Sequence, residues 1–231
     1  MSSLPALPLL LPPGPLPSAA AALMRLLRPT RRRVRARPAA IPASYTLHEH
    51  RGARRVDAER FIGDCFMDSF GSRVNAFMPR LFTVQHADGT VCGAFGLRSG
   101  RSRLFLEQYL DEPIEVVLSR AAGRPVRRDS IVEVGHFSGT FPGALRAMIA
   151  LLTERLYHEG FDWVVFTGTV GLRNAFGRLG LAPIDICAAD AERLPADQRA
   201  AWGRYYAHAP HVLAGNIHQG FRHMAAGTEA A

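Results

Sequence analysis

At 231 residues, 48% hydrophobic and 21% charged, the chain has the composition of a soluble globular protein with room for one domain or a domain plus a tail. Its net charge of +8 lies at one end: the first forty residues hold seven arginines (Arg25, Arg28, Arg31, Arg32, Arg33, Arg35 and Arg37) and no acid, which leaves 21 arginines against 20 acidic residues over 41–231. A near-neutral fold argues against a nucleic-acid-binding domain, whose basic excess sits on the folded surface, and a chain without lysine excludes Schiff-base catalysis and a Walker-type phosphate loop.

Residues 1–40 are rich in Leu, Pro and Ala and then in Arg. Pro5 and Pro8 interrupt the apolar run, and the positive charges follow it, the reverse of a signal peptide. This segment is expected to be a disordered tail, with residues 41–231 as a single domain; a membrane-surface or nucleic-acid patch is the alternative. No uninterrupted apolar stretch approaches the roughly 20 residues of a spanning helix, so stable membrane insertion is not expected and a cytoplasmic location is. Cys65, Cys92 and Cys187 lack metal-type spacing and sit among apolar neighbours. They read as buried free thiols, with a catalytic cysteine as the alternative, and no metal is expected.

In chain order, Tyr45–His50 reads as a first strand. Asp57–Phe70 places Phe61, Ile62, Cys65, Phe66 and Met67 at helical spacing, with Gly71 as a stop. Leu81–Gln85 and Val91–Leu97 are short β-type runs around Asp88-Gly89, a hairpin signal. Leu104–Leu110 leads into Asp111-Glu112-Pro113 and a helix from Ile114 to about Ala121, and Gly123–Asp129 is a polar loop. Ile131–Phe137, apolar and β-branched, reads as a buried strand, and Ser138–Gly143 as a turn-rich break. From Ala144 the spacing of Leu145, Met148, Ile149, Leu152 and Leu156 predicts a helix, with Gly160 at its C-cap. Phe161–Thr169 is a second buried strand, and Leu172–Leu179 a short helix ended by Gly180. Such a unit favours parallel strands with a right-handed crossover, and amides at the helix N-terminus attract anions. Ile184–Ala188 is a strand, Asp190–Leu194 a loop and Pro195–Tyr206 a helix, and the end from Pro210 is weakly patterned. The whole reads as an α+β fold with a mixed sheet.

Five stretches, ERFIGDCFMDSFG (59–71), LFLEQYLDEPIE (104–115), IVEVGHFS (131–138), FDWVVFTGTVGLRNAFGRLGL (161–181) and WGRYYAHAPHVLAG (202–215), resemble in this order the thermostable hemolysin family, across about residues 55–215. The resemblance implies a GNAT-like acyltransferase fold distantly related to acyl-homoserine-lactone synthases. It implies α/β/α layers, helices on both faces of a mixed central sheet, and a splayed parallel strand pair that takes an acyl-CoA or acyl-phosphopantetheine donor. The donor site it implies comprises Val134, Phe137, Ser138, Gly139, Thr140, Gly143, Thr167, Asn174 and Phe176. Two features depart from the GNAT pattern. The loop 138–143 is not Q/R-x-x-G-x-G/A, and Phe141 or Pro142 stands where a phosphate wants an N–H; proline has none. Either the site prefers a carrier protein's phosphopantetheine to free CoA, or the loop is degenerate. Phe176 occupies the place of a tyrosine that often protonates the leaving thiolate, so that role passes elsewhere or is absent.

Within this frame Glu133 is the acid to single out, because a carboxylate in an apolar strand costs several kcal/mol unless paired or protonated. It serves as a general base or amine-orienting group in the cleft, or it partners a buried arginine such as Arg146 or Arg173. His136, a second catalytic candidate, falls on the opposite face of a regular strand, so the two form no dyad without a bulge. Glu107 and Tyr109 are candidates for binding the acceptor. Asp111 and Glu112 either bind a cationic acceptor or solvate a loop, and Trp202, Tyr205 and Tyr206 either line an acyl tunnel or pack the core. The expected function is transfer of an acyl group from a CoA or acyl-carrier-protein thioester to a small-molecule amine. A directly membrane-lytic protein and a non-catalytic GNAT-like binding module are the alternatives.

Overall fold

In the computed structural model, residues 45–140 and 142–229 are described; the tail expectation for 1–40 and the side chain of Phe141 lie outside them. Asp88-Gly89 makes the expected hairpin. The Thr90 amide donates to Asp88 Oδ1 at 2.8 Å, Gly89 takes φ +86°, and β2 (Arg80–His86) folds back antiparallel on β3 (Val91–Ser99). These strands and β1 (Tyr45–His50), β4 (Ile131–Gly139), β5 (Trp163–Gly168), β6 (Ile184–Ala188) and β7 (His211–Asn216) form one sheet in the order β1-β2-β3-β4-β5-β7-β6. Among the described residues only β4 and β5 pair in parallel.

Alternation along the strands feeds two apolar layers. On one face α1 (Arg55–Phe70) packs Ala58, Ile62 and Phe66 over Leu81 and Ala94, and α2 (Ile114–Ala122) packs Ile114 and Leu118 against Ile131 and Val165. On the other, α3 (Pro142–His158) packs Met148, Leu152 and Leu156 against Phe95, Val132, Val134 and Phe166. Two further helices join it there, α4 (Val170–Arg178) and α6 (Ile217–Glu229). The result is the layered α+β arrangement with helices on both faces of a mixed sheet.

Three differences from the sequence expectation bear on the site. β4 runs two residues further, to Gly139, and α3 begins at Pro142, so the turn-rich break nearly vanishes. Proline suits a first helical position, whose N–H has no helical partner. The helix expected over Pro195–Tyr206 stops at Ala201, because Gly203 turns the chain with φ +52°; only α5 (Ala196–Ala201) and a 3-10 turn at Tyr205–His208 form. The weakly patterned end holds β7, an interior strand, and then α6.

Arginine networks staple the layers. Arg128 donates to Glu107 (2.6 and 2.8 Å) and Glu115 (2.6 Å), and Arg80 donates to Glu49 (2.9 and 3.2 Å) and Glu159 (2.7 and 2.8 Å). The Arg128 and Arg80 guanidiniums hold the carboxyls of Glu107 and Glu159 down at about 2, against the ordinary 4.5. A folded pKa below the unfolded one stabilises the fold above about pH 4.5, and that stability is lost as pH falls through 4.5 towards 2. Melting temperature is therefore expected to drop steeply over that window. Arg128→Met should lower the plateau at neutral pH and flatten the drop, which a pH series of thermal melts checks.

Candidate active site

The parallel pairing of β4 with β5 stops early. Ile131 to Val134 pair with Trp163 to Phe166; beyond that β4 stays with β3 as far as Gly139, while β5 stays with β7 as far as Gly168. The two strands part, and a cavity of about 1040 Å³ opens at the gap. It reaches both layers: Phe66 and Tyr205 line it on the α1 side, and Leu152 and Phe176 on the α3 side.

β4 is bulged beside this gap. Ala94 faces Ser138 and Gly96 faces Gly135, so Phe95 alone is opposite both His136 and Phe137. His136 takes φ +55°, uncommon for a residue with a Cβ, and with Phe137 it forms a bulge that inserts one extra side chain. The consequence overturns the strict alternation expected from the sequence. The His136 ring lies 5.5 Å from Phe77 and 6.1 Å from Phe66 on the α1 face, while Phe137 stacks on Phe95 in the α3 layer. Glu133 and His136 thus share one face.

Glu133 is 3% exposed, and its carboxylate accepts from the amides of Phe105 (2.9 Å) and Leu106 (2.8 Å). Arg98, its cross-strand neighbour on β3, stands 3.9 Å away. Burial pushes the carboxyl above its ordinary range, opposed by the two amides and then by Arg98. The arginines anticipated as partners are elsewhere; Arg173, for one, pairs with Asp185 at 3.3 Å. Burial, and then the Arg98 charge, holds the His136 imidazole down at about 4, against a backbone hydrogen bond with Ala76. A neutral imidazole results, and its Nδ1 is buried without a hydrogen-bond partner.

Of the other residues anticipated at the site, Val134, Phe137, Thr167, Phe176 and Tyr109 line the cavity, whereas Ser138, Gly139, Thr140, Gly143, Asn174 and Glu107 do not. Ser138 Oγ donates to its neighbour His136's carbonyl, and the amide and hydroxyl of Thr140 both donate to the Cys92 carbonyl. A Cβ on Gly139 would come within 2.9 Å of Leu145, so this glycine admits α3. Asn174 is exposed. Glu107 accepts from Arg128 and from the amides of Leu104 (3.0 Å) and Ile114 (3.3 Å), which fastens the 3-10 turn Phe105–Tyr109 to the start of α2. The Tyr109 hydroxyl meets that of Tyr206 at 2.6 Å, and burial raises the Tyr109 pKa strongly. Sequence reasoning missed Arg98 and Arg103 in the wall. A charge ending a strand is commonplace, and only the register with Glu133 distinguishes Arg98. Among the described residues no cluster of His, Cys, Asp and Glu is disposed to hold a metal ion.

Comparison with known proteins places this geometry. A family model described as thermostable hemolysin matches residues 48–221. Among solved structures, TofI in a ternary complex with an inhibitor and MTA is similar at 15% identity and a TM-score of 0.53, over 78% of this chain and 96% of that one. FeeM, an N-acyl amino acid synthase from uncultured soil microbes, is similar at 11% identity and a TM-score of 0.51, over 76% and 92%. A GCN5-related N-acetyltransferase from Kribbella flavida reaches 0.42 at 14% identity, over 76% and 99%. No curated protein matches the chain by sequence. At such identities the likeness to TofI and FeeM is one of fold.

Proposed function

The chain belongs to the thermostable hemolysin family, and on that premise we propose that it is an N-acyltransferase, carrying an acyl group from a thioester to an amine. One observation supports this above the others: a cavity lined from both layers crosses the sheet where β4 and β5 part. Ile149, Leu152, Leu156 and Phe176 offer an acyl chain a dry wall, and the volume of about 1040 Å³ is at the upper end of the roughly 300–1,000 Å³ of small-molecule sites. That is more space than an acetyl group uses. On the other side Arg98, Glu133 and His136 line the gap and give it the charged and polar groups that a polar acceptor needs. An acceptor that also carries a carboxylate, as an amino acid does, fits Arg98 and Arg103.

The donor's anionic end would lie near the start of α3. The Thr140 amide is already bound to Cys92, and Pro142 has no N–H, so fewer amides remain there for a pyrophosphate than a Gly-rich loop supplies. This favours a phosphopantetheine thioester on an acyl carrier protein over free acyl-CoA, and with it a cytoplasmic site of action. No described helix is long and apolar enough to cross a membrane. On this reading, hemolysis of the kind that names the family would come from a surface-active N-acyl product.

The test is to incubate the purified full chain with acyl-CoA or acyl-carrier-protein thioesters of several chain lengths and a mixture of amino acids, and to read products by mass spectrometry. An N-acyl amide that appears only with donor, and erythrocyte lysis that tracks it, are the expected results. Lysis by the protein alone, with no amide formed from any donor, would overturn the proposal.

A further inference from the structure

The gap between β4 and β5 leaves the Thr167 backbone carbonyl to be satisfied from outside the sheet. Peptide groups on a strand point alternately to its two neighbours. The Asp162 carbonyl accepts from the Ile217 amide, on the β7 side, so Trp163, Val165 and Thr167 turn theirs towards β4. β4 answers as far as Val134–Phe166 and then departs. The Thr167 carbonyl is met instead by the Tyr205 hydroxyl, at 3.4 Å, long for a hydrogen bond from a hydroxyl. That hydroxyl therefore stands where the backbone of β4 would have run, in the cavity wall. Its ring is held by Phe66 (stacked, 6.4 Å) and, edge-on or tilted, by Phe70 and Trp202 (both 5.1 Å), and the residue is 8% exposed. Burial, and then Tyr206, raise its pKa, so the phenol is protonated at neutral pH.

We propose that Tyr205 is the acid that delivers a proton to the departing sulfur in the acyl transfer, the task that Phe176 cannot perform. This rests on the N-acyltransferase reading. Phe176 has only carbon to offer and is stacked on Phe166 at 5.0 Å. In the step, the amine lone pair forms the C–N bond at the thioester carbonyl. The C–S bond breaks, sulfur takes its electron pair and the Tyr205 proton, and the proton shed by the new amide nitrogen returns to the phenolate. The products are one amide and one thiol, with Tyr205 unchanged. The weak bond to Thr167 suits the role, because little is lost when the hydroxyl turns to sulfur.

An acid matters most when the leaving group is poor. The test compares octanoyl-acyl carrier protein, an alkyl thioester, with S-phenyl thiooctanoate, whose aryl thiolate leaves without help, using an amino-acid mixture as acceptor. Tyr205→Phe keeps the ring contacts. It is expected to lower kcat by about 10²-fold with octanoyl-acyl carrier protein, within the usual worth of a general acid, to lower it much less with the phenyl ester, and to leave KM for both nearly unchanged. Tyr206→Phe, which removes a hydroxyl outside the cavity wall, is expected to affect both esters alike. Equal losses for the two esters in Tyr205→Phe would overturn the assignment and leave the acyl-transfer reading standing. No turnover by the native chain with any thioester would sink both. If Tyr205→Phe does not fold, difluorotyrosine at position 205 keeps ring and hydroxyl while making the phenol more acidic. It should change the ratio of the two ester rates, and an unchanged ratio counts against the proposal.

Discussion

Replacing Glu133 by alanine is expected to destabilise the fold by about 3–5 kcal/mol, the cost of breaking a buried, hydrogen-bonded charge cluster. Both oxygens of this 3%-exposed carboxylate are already engaged, one by the Phe105 amide and one by the Leu106 amide. Removing the side chain strands two buried N–H groups and leaves Arg98 without its cross-strand partner. Glu133→Gln should cost roughly 1–3 kcal/mol, since its amide has one acceptor and would set an NH₂ against one of those N–H groups. The damage spreads to the site, because Leu104, Phe105, Gln108 and Tyr109 line the cavity from the segment that Glu133 holds. Chemical denaturation and single-turnover rates on one preparation decide the matter. The fastening role requires the stability loss to dominate. A Gln variant as stable as the native chain that loses 10²–10⁴-fold in turnover would make Glu133 a general base instead.

Gly203→Ala should be comparably severe, at roughly 3 kcal/mol, and for backbone reasons. Gly203 has φ +52°, and a Cβ there would sit 2.5 Å from the Phe70 carbonyl oxygen and 2.7 Å from that of Gly71. Neither is a side chain that could swing away. Left-handed geometry alone costs roughly 1–2 kcal/mol, and forcing two backbone segments apart adds an overpacking term of about 1–3 kcal/mol. The segments are tied: Arg73 N–H donates to the Ala201 carbonyl at 2.9 Å and Arg204 N–H to the Phe70 carbonyl at 2.7 Å. Pushing them apart moves Trp202 and Tyr205 out of the cavity wall, so activity should fall further than stability. Gly177→Ala, in the last turn of α4 with nothing within 4 Å of the new Cβ, is the control and should be neutral or slightly stabilising. Thermal melts of the two variants side by side check this.

Much of the fold was legible because its first half follows local rules. Asp88-Gly89 dictates a hairpin, Gly71 stops a helix, and the change of period after Ile131–Phe137 marks a strand-to-helix crossover. The interior strand β7 was not legible. His211-Val212-Leu213-Ala214 is too short a run to stand out, and its place between β5 and β6 is decided by long-range pairing. The same holds at the site. Glu133 announced itself as an acid among Ile131, Val132 and Val134, but its partners are amides 27 and 28 residues away that no spacing rule reaches. Phe176 was readable as a missing hydroxyl, whereas Tyr205 looked like core packing, which its ring indeed supplies. Only where its oxygen ends up, on the open edge of β5, sets it apart.

A strand is a code read in steps of two, and the bulge at His136 is an insertion of a single letter. Up to Gly135, and again from Phe137 onward, β4 presents the faces it would present if His136 were not there: Glu133, Gly135 and Ser138 towards α1, and Val134, Phe137 and Gly139 towards α3. The imidazole has been added to the wall without shifting the frame of anything after it. Position 136 therefore stands outside the alternation of its strand. Its ring packs on Phe66 and Phe77 in one layer, while Phe137 on Phe95 and Gly139 under Leu145 keep the frame of the other.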